Sequence, residues 1–318
     1  MVILLGVGVY IVIMLAIGIY SSGKTHSVAE FAVAGRSMSM WLCTATIVAT
    51  WFGGGVMIGV AGAAYDHGML GVIADPFGAG VALLLIGLFF VRLVRRLRLF
   101  SFIEILEQRF GLSAGIISSV ASMVSSLGWV AGMLIAFGVI FETLTGVPLA
   151  FGIIGGAFVV IVYTSIGGMF AVALTDFVQM SIIAIGLVML LVVVLVDTGG
   201  WAPIAAQLPE GTFRMIPHEH SLDSWLFYLR AWLIFGFADI ASQSLLQRAM
   251  SAKSEQVAQN SFYAAAISYV GFAMIPVMLG IIASVTMPGL ANSESVVPAL
   301  ALEHLHPVAI AIFVGALL

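Results

Sequence analysis

Charge is what this sequence most lacks. Only 8% of its 318 residues are Asp, Glu, Lys or Arg, 62% are hydrophobic, and the mean hydropathy is +1.19. Soluble domains carry about 25% charged residues, so the composition excludes an ordinary soluble domain and points to a polytopic membrane protein. The net charge of -4 leaves no basic face for nucleic acid once membrane topology has used the Lys and Arg residues. Cysteine is nearly absent too: Cys43 stands alone, which excludes an intramolecular disulfide and reads as a small core residue in an apolar span. Enzyme signatures are missing, with no Ser-His-Asp constellation in context, no HExxH, no GxSxG and no phosphate-cradling GxxxxGK[ST]. Residues 1–20 have no charged segment before them and no small-x-small cleavage site after them, so a retained helix is expected, not a signal peptide.

What is there is a succession of apolar runs of bilayer-spanning length. Beyond 1–20 they fall near 40–64, 69–91, 114–141, 149–167, 174–196, 225–246 and 261–286. The final stretch, 306–318, enters another span, so the chain is expected to belong to something longer. Lys24, Arg36, Arg92, Arg95, Arg96, Arg98, Arg109, Arg248 and Lys253 all fall in alternate loops, which makes those loops cytoplasmic and puts the N-terminus outside. Topology alone accounts for the cluster at 92–109; a lipid-phosphate patch is the rival reading. The opposite loops are acidic, with Asp66, Asp197, Glu210, Glu219, Asp223, Glu294 and Glu303. His218-Glu219-His220 in the long outer loop lacks a third ligand at metal-site spacing, so no metal is expected there.

The most informative stretch is TATIVATWFGGGVMIGVAGAAY, residues 44–65. Gly53, Gly54 and Gly55 together forgo about 3 kcal/mol of helix propensity. In a membrane such a run predicts a helix opened toward a cavity, with freed backbone groups facing an ion or ligand. Asp239 lies deep in the 225–246 span, and an ionisable group at that depth is a functional candidate; hydroxyls of neighbouring residues give a structural alternative of equal weight. Gly236 beside it suggests a second broken helix. Asp75 precedes Pro76, which disfavours helix there, so a kink with Asp75 capping the following half is expected. Gly167-Gly168 predicts a tight hinge before Asp176 opens the next helix as a cap. Ser254 is placed to cap the helix after 254. Trp51 and Trp129 are either packing residues or two walls of a cation site.

The segments GKTHSVAEFAVAGRSMSMW, ATWFGGG followed by IGVAGAAYDHG, FIEILEQRFG, YTSIGGMFAVALTDFVQ and QRAMSAKS occur in the order and spacing of the sodium/solute symporters. The chain resembles that family, which includes proline, pantothenate, sugar and choline sodium cotransporters, over essentially its whole length. The resemblance implies an all-α membrane fold of two inverted five-helix repeats behind an extra helix. On that pattern residues 1–22 are the extra helix, 38–197 the first repeat, 198–224 an extracellular loop and 225–318 a partial second repeat of two helices and the start of a third. It implies sodium as the coupling ion, no organic cofactor, and a small organic solute and the bilayer as partners. By resemblance the backbone carbonyls of Ala49 and Phe52 belong to the sodium site, whose hydroxyl ligands would fall beyond Leu318, so the chain by itself should bind sodium weakly. Asp176 matches an acidic residue on the family's ion path. Substrate contacts are expected from Trp51, Gly53, Gly54, Gly55, Trp129, Phe235, Asp239 and Gln243. Trp51 and Trp129 match two aromatic positions of the choline branch, whereas Ala79 and Ser242 stand at others.

The expected function is sodium-coupled import of a small organic solute by alternating access, at the inner membrane of a bacterium. The alternatives are a transporter-like sensory domain of a signalling protein and an inactive truncated transporter. The solute is a quaternary amine on one reading and an organic acid, amino acid or vitamin on the other.

Overall fold

The computed structural model describes residues 2–23, 26–53, 55–219, 221–237, 240 and 242–316. Among these the chain is helical, and the only β pairing is a single bridge between Met38 and Ala252. The α-helices in order are α1 (Val2–Ser22), α2 (Val28–Val33), α3 (Met40–Trp51), α4 (Ala61–His67), α5 (Ala79–Leu85), α6 (Val91–Leu97), α7 (Phe102–Phe110), α8 (Leu112–Thr145), α9 (Leu149–Asp197), α10 (Trp201–Ala205), α11 (Leu222–Phe237), α12 (Gln243–Ser251), α13 (Glu255–Thr286), α14 (Val296–His304) and α15 (Pro307–Ala316). Among the described residues, four helical runs are long and apolar enough to cross a bilayer: Gly55–Leu97, Leu112–Thr143, Thr164–Asp197 and Glu255–Thr286.

Local chemistry sets where the helices begin. The Ser39 side chain accepts from the Leu42 amide at the head of α3, and Ser101 forms a reciprocal capping box with Glu104 at the head of α7. Ser254 accepts from the Val257 amide at 3.1 Å and starts α13, as its place in the sequence predicts.

The interruptions are equally local. The expected hinge is a break of α9 at Gly168 alone, with φ 57° and ψ -157°, a region open essentially to glycine. A Cβ there would stand 2.8 Å from the Phe31 carbonyl oxygen, so close approach demands glycine as well. Helix resumes immediately, which corrects the placement of Asp176: it lies about two turns inside the helix and caps nothing. The kink before Pro76 is present, with Asp75 at φ -137° and ψ 121°. Its carboxylate does not cap the following half; it accepts instead from Tyr269 on α13. The expected 225–246 span is divided, α11 ending at Phe237 and α12 starting at Gln243. Asp239, between them, lies outside the described residues.

Helix α13 is the central post, packed against α3, α4, α5 and α6. Phe262, Tyr269, Val277 and Ile281 are buried on it. At Gly280 a Cβ would come within 2.2 Å of the Ala61 carbonyl oxygen, so only glycine lets α13 and α4 approach this closely. Helix α1 lies on the outside against α9 and α15, burying Val7, Tyr10 and Met14 while Leu5, Val9 and Val12 remain exposed. Helix α8 presents Ile116, Val120, Met123, Val124 and Leu127 outward, an apolar face suited to hydrocarbon.

The arginine-rich end of the bundle is stitched together more tightly than topology requires. Arg96 pairs with Glu255 at 2.8 Å, the Arg92 guanidinium donates to Gln256 at 2.9 Å, and Arg95 Nε donates to the Ala252 carbonyl at 2.6 Å. Main chain joins the same region: Met38 N–H donates to Ser251 O at 3.1 Å, and Lys253 N–H to Met38 O at 3.0 Å. The start of α3 and the end of α12 are thereby fastened to each other.

Candidate functional site: a broken helix over a cavity

The break after α3 has a defined geometry. Phe52 takes φ -82° and ψ 84°, and the Gly53 amide donates to the Trp51 carbonyl at 3.0 Å. This is an inverse γ-turn. In an unbroken helix that amide would bond the Ala49 carbonyl; here it has turned away. The chain restarts when Gly53 O accepts from the amides of Val56 and Met57, both at 3.1 Å. Gly54, the middle residue of the run, lies outside the described residues.

A cavity of about 420 Å³ opens against this break. It brings together four of the residues expected at a substrate site: Trp51, Gly55, Trp129 and Phe235. Gly53 does not line it directly, but a Cβ there would meet Met133 Sδ, a lining residue, at 3.2 Å. Gln243 is elsewhere: its Oε1 accepts from the Phe102 amide at 2.7 Å and ties α12 to the start of α7.

Three further residues belong to the cavity wall. Asp75, Tyr269 and Glu294 line it, and the Tyr269 hydroxyl donates to Asp75 Oδ1 at 2.7 Å. The Tyr269 ring in turn meets Trp51 and Phe52 edge to face, with centroids 5.9 and 6.1 Å apart. A tyrosine in the middle of an apolar span needs a partner for its hydroxyl, and that was the available signal. Nothing in the sequence identified Asp75, 194 residues away, as the partner.

Toward the arginine-rich end lies a polar cluster. Asp176 accepts a hydrogen bond from the Thr46 hydroxyl and stands 3.9 Å from Arg248 Nη2. Arg248 Nε donates to Thr46 O at 3.0 Å and to Thr46 Oγ1 at 3.2 Å, while Nη1 donates to Ser244 O at 2.7 Å. The side chains of Arg248 and Asp176 are only 13% and 14% exposed. Arg248 therefore joins α3, α9 and α12 and is no solvated loop charge. His220 lies outside the described residues, and among the described residues no group of three His, Cys, Asp or Glu side chains is placed to hold a metal.

Two interrupted helices meeting at a cavity in an apolar bundle define an integral membrane protein of the solute-transporter type. The model of the sodium:solute symporter family matches residues 31–318, and the chain belongs to that family. It is 30% identical over 282 residues to a high-affinity choline transporter of Drosophila melanogaster, covering 87% of this chain and 45% of that protein. A sodium/glucose cotransporter of Vibrio parahaemolyticus is 25% identical over 338 residues, with 91% and 60% covered, and a sodium/proline symporter of Staphylococcus aureus 26% identical over 299 residues, with 85% and 56% covered. The chain thus spans about half the length of the curated relatives it matches. Among solved structures, the substrate-bound outward-open state of a Na+-coupled sialic acid symporter superposes with a TM-score of 0.83 at 20% identity, covering all of this chain and 69% of the other. The fold is therefore the inverted-repeat transporter fold expected from the resemblance.

Proposed function

We propose that this chain is part of a sodium-coupled symporter that imports a small organic solute by alternating access. The observation that carries the reading is the pair of helix interruptions, after Trp51 and at the extended Ser242 ahead of α12, with Trp51 and Phe235 lining one cavity. Relatives named for choline, glucose and proline support a small organic solute. Ala49 and Phe52 are assigned as carbonyl ligands of sodium, on the support of the γ-turn that releases the ladder beside them. Asp176 is assigned to the ion path, on the support of its position below that turn and its bond with Thr46 of α3. On the same reading residues 38–197 form the first repeat and 225–318 belong to the second, the arginine-rich loops are cytoplasmic, the N-terminus is outside, and the membrane is a bacterial inner membrane.

One sodium entering supplies about 2.3 kcal/mol per 100 mV, and a tenfold gradient adds about 1.4 kcal/mol. Together these sustain roughly a 500-fold accumulation of solute. Coupling requires sodium to favour one access state, since equal affinity for both shifts no equilibrium. The test is uptake of choline, proline and glucose into proteoliposomes carrying the whole protein under an inward sodium gradient. Accumulation of one of them with sodium and not with potassium is expected; equal uptake under a potassium gradient overturns the reading.

A further inference from the structure

Four cationic residues from separate segments converge at the arginine-rich end of the bundle. The bridge between Met38 and Ala252 is their common point. Arg36 stands two residues before Met38, and Lys253, directly after Ala252, donates its amide to Met38 O at 3.0 Å. Arg95 Nε holds the Ala252 carbonyl at 2.6 Å, while Arg36 Nη2 donates to Arg98 O at 2.5 Å and to Leu99 O at 3.3 Å. Arg95 is within electrostatic range of both Arg36 and Arg98.

None of the four pairs with a carboxylate among the described residues. Their bonds go to neutral carbonyls. Glu255, also in range of Arg95, has both oxygens taken by Arg96, at 3.2 and 2.8 Å. Glu104 Oε1 is held by the Phe100 and Ser101 amides, at 3.2 and 3.0 Å, in the cap of α7. Like charges gathered in this way repel one another until an anion joins them. The backbone is strained at the same spot. Ala34, Arg36 and Arg98 are the non-glycine residues of positive φ among those described, at 49°, 57° and 55°. Strain of this kind persists where the surrounding structure holds a working geometry in place.

The surroundings indicate what the anion belongs to. The cluster lies at the end of the apolar run Gly55–Leu97, and its exposed neighbours Leu93, Leu97 and Phe100 are apolar. The Phe100 ring centroid lies 5.0 Å from the Arg36 guanidinium carbon. A soluble anion gains nothing from such a border, whereas a phospholipid brings its phosphate to this level with its hydrocarbon alongside. Guanidinium forks match phosphoryl oxygens in shape as well as in charge.

We propose that Arg36, Arg95, Arg98 and Lys253 form a binding site for the phosphate of an anionic phospholipid, whose acyl chains lie against the exposed leucines of α6. Membrane topology requires basic residues in these loops, but not their convergence on one point. The bound headgroup supplies the missing countercharge over the clasp that joins α3 to α12. The proposal is independent of which solute the protein carries.

The test is the lipid selectivity of the whole protein, purified in detergent and titrated with phosphatidylglycerol or phosphatidylcholine, read by native mass spectrometry and by unfolding temperature. Phosphatidylglycerol is expected to be retained at least about fivefold over phosphatidylcholine, with the preference shrinking as salt is raised. Arg98→Gln with Lys253→Gln removes two exposed side chains that bond no other described residue, so the fold is kept. In that variant the preference should fall to within about twofold. Arg109→Gln with Arg214→Gln makes the same change of net charge outside the cluster and should leave the preference in place. Equal retention of the two lipids, or an equal loss of preference in both double variants, overturns the proposal. So does stabilisation by inorganic phosphate as large as that by phosphatidylglycerol, which would assign the site to a soluble anion.

Discussion

Arg248 and Asp176 stand 3.9 Å apart, and each is bonded to Thr46. An ion pair this well buried contributes little net stability by itself, but removal of one member leaves the other uncompensated, at a cost of about 3–5 kcal/mol. The single substitutions Arg248→Gln and Asp176→Asn should therefore each lower the unfolding temperature clearly. The double substitution should be less destabilising than the sum of the two. A thermal double-mutant cycle on the purified protein measures the difference; strict additivity would show that the two charges are independent.

Tyr269→Phe removes the one hydrogen bond that the Asp75 carboxylate accepts among the described residues and keeps the ring that meets Trp51 and Phe52. The expected loss is about 1–3 kcal/mol of stability, because the carboxylate is left without its donor. Chemical denaturation in detergent should show it. A silent substitution would mean that water already serves Asp75.

Gly168→Ala should be among the most damaging conservative changes in the chain. It places a Cβ in a backbone region open to glycine and 2.8 Å from Phe31 O, with a cost of about 1–3 kcal/mol from the strain alone. The monodisperse fraction after solubilisation is the measurement. Gly128→Ala, where nothing lies within 4 Å of the added carbon, serves as the control and should be neutral.

Trp51→Phe keeps an aromatic face but a weaker one. On the symporter reading, sodium-driven accumulation of the transported solute should fall several-fold with little change in unfolding temperature, because Trp51 lines the cavity. Equal loss of uptake and of stability would show that Trp51 acts through packing alone.

Much of the architecture was legible because its causes are local. The glycine run, Pro76 and Gly168 each mark an interruption of helix, and the observed breaks fall at or beside them, whereas the break expected at Gly236 falls, among the described residues, at Ser242. Ser254 likewise announces the helix it caps. The polar pairs were not legible, because each joins residues far apart in sequence. Arg248 reads as a loop charge until α12 is seen turned inward against α3, and Asp75 reads as a cap until Tyr269 is seen opposite it. Asp176 reads as a helix cap, but the glycine that opens the helix lies two turns before it, so it stands inside α9.

The main-chain clasp between Met38 and the segment 251–253 carries a mechanical consequence. Both interrupted helices stand on one shared foot, held by Met38 N–H to Ser251 O and Lys253 N–H to Met38 O. Displacement of α3 at this end therefore draws α12 along with it, so the two helices share one mechanical anchor at the arginine-rich end of the bundle.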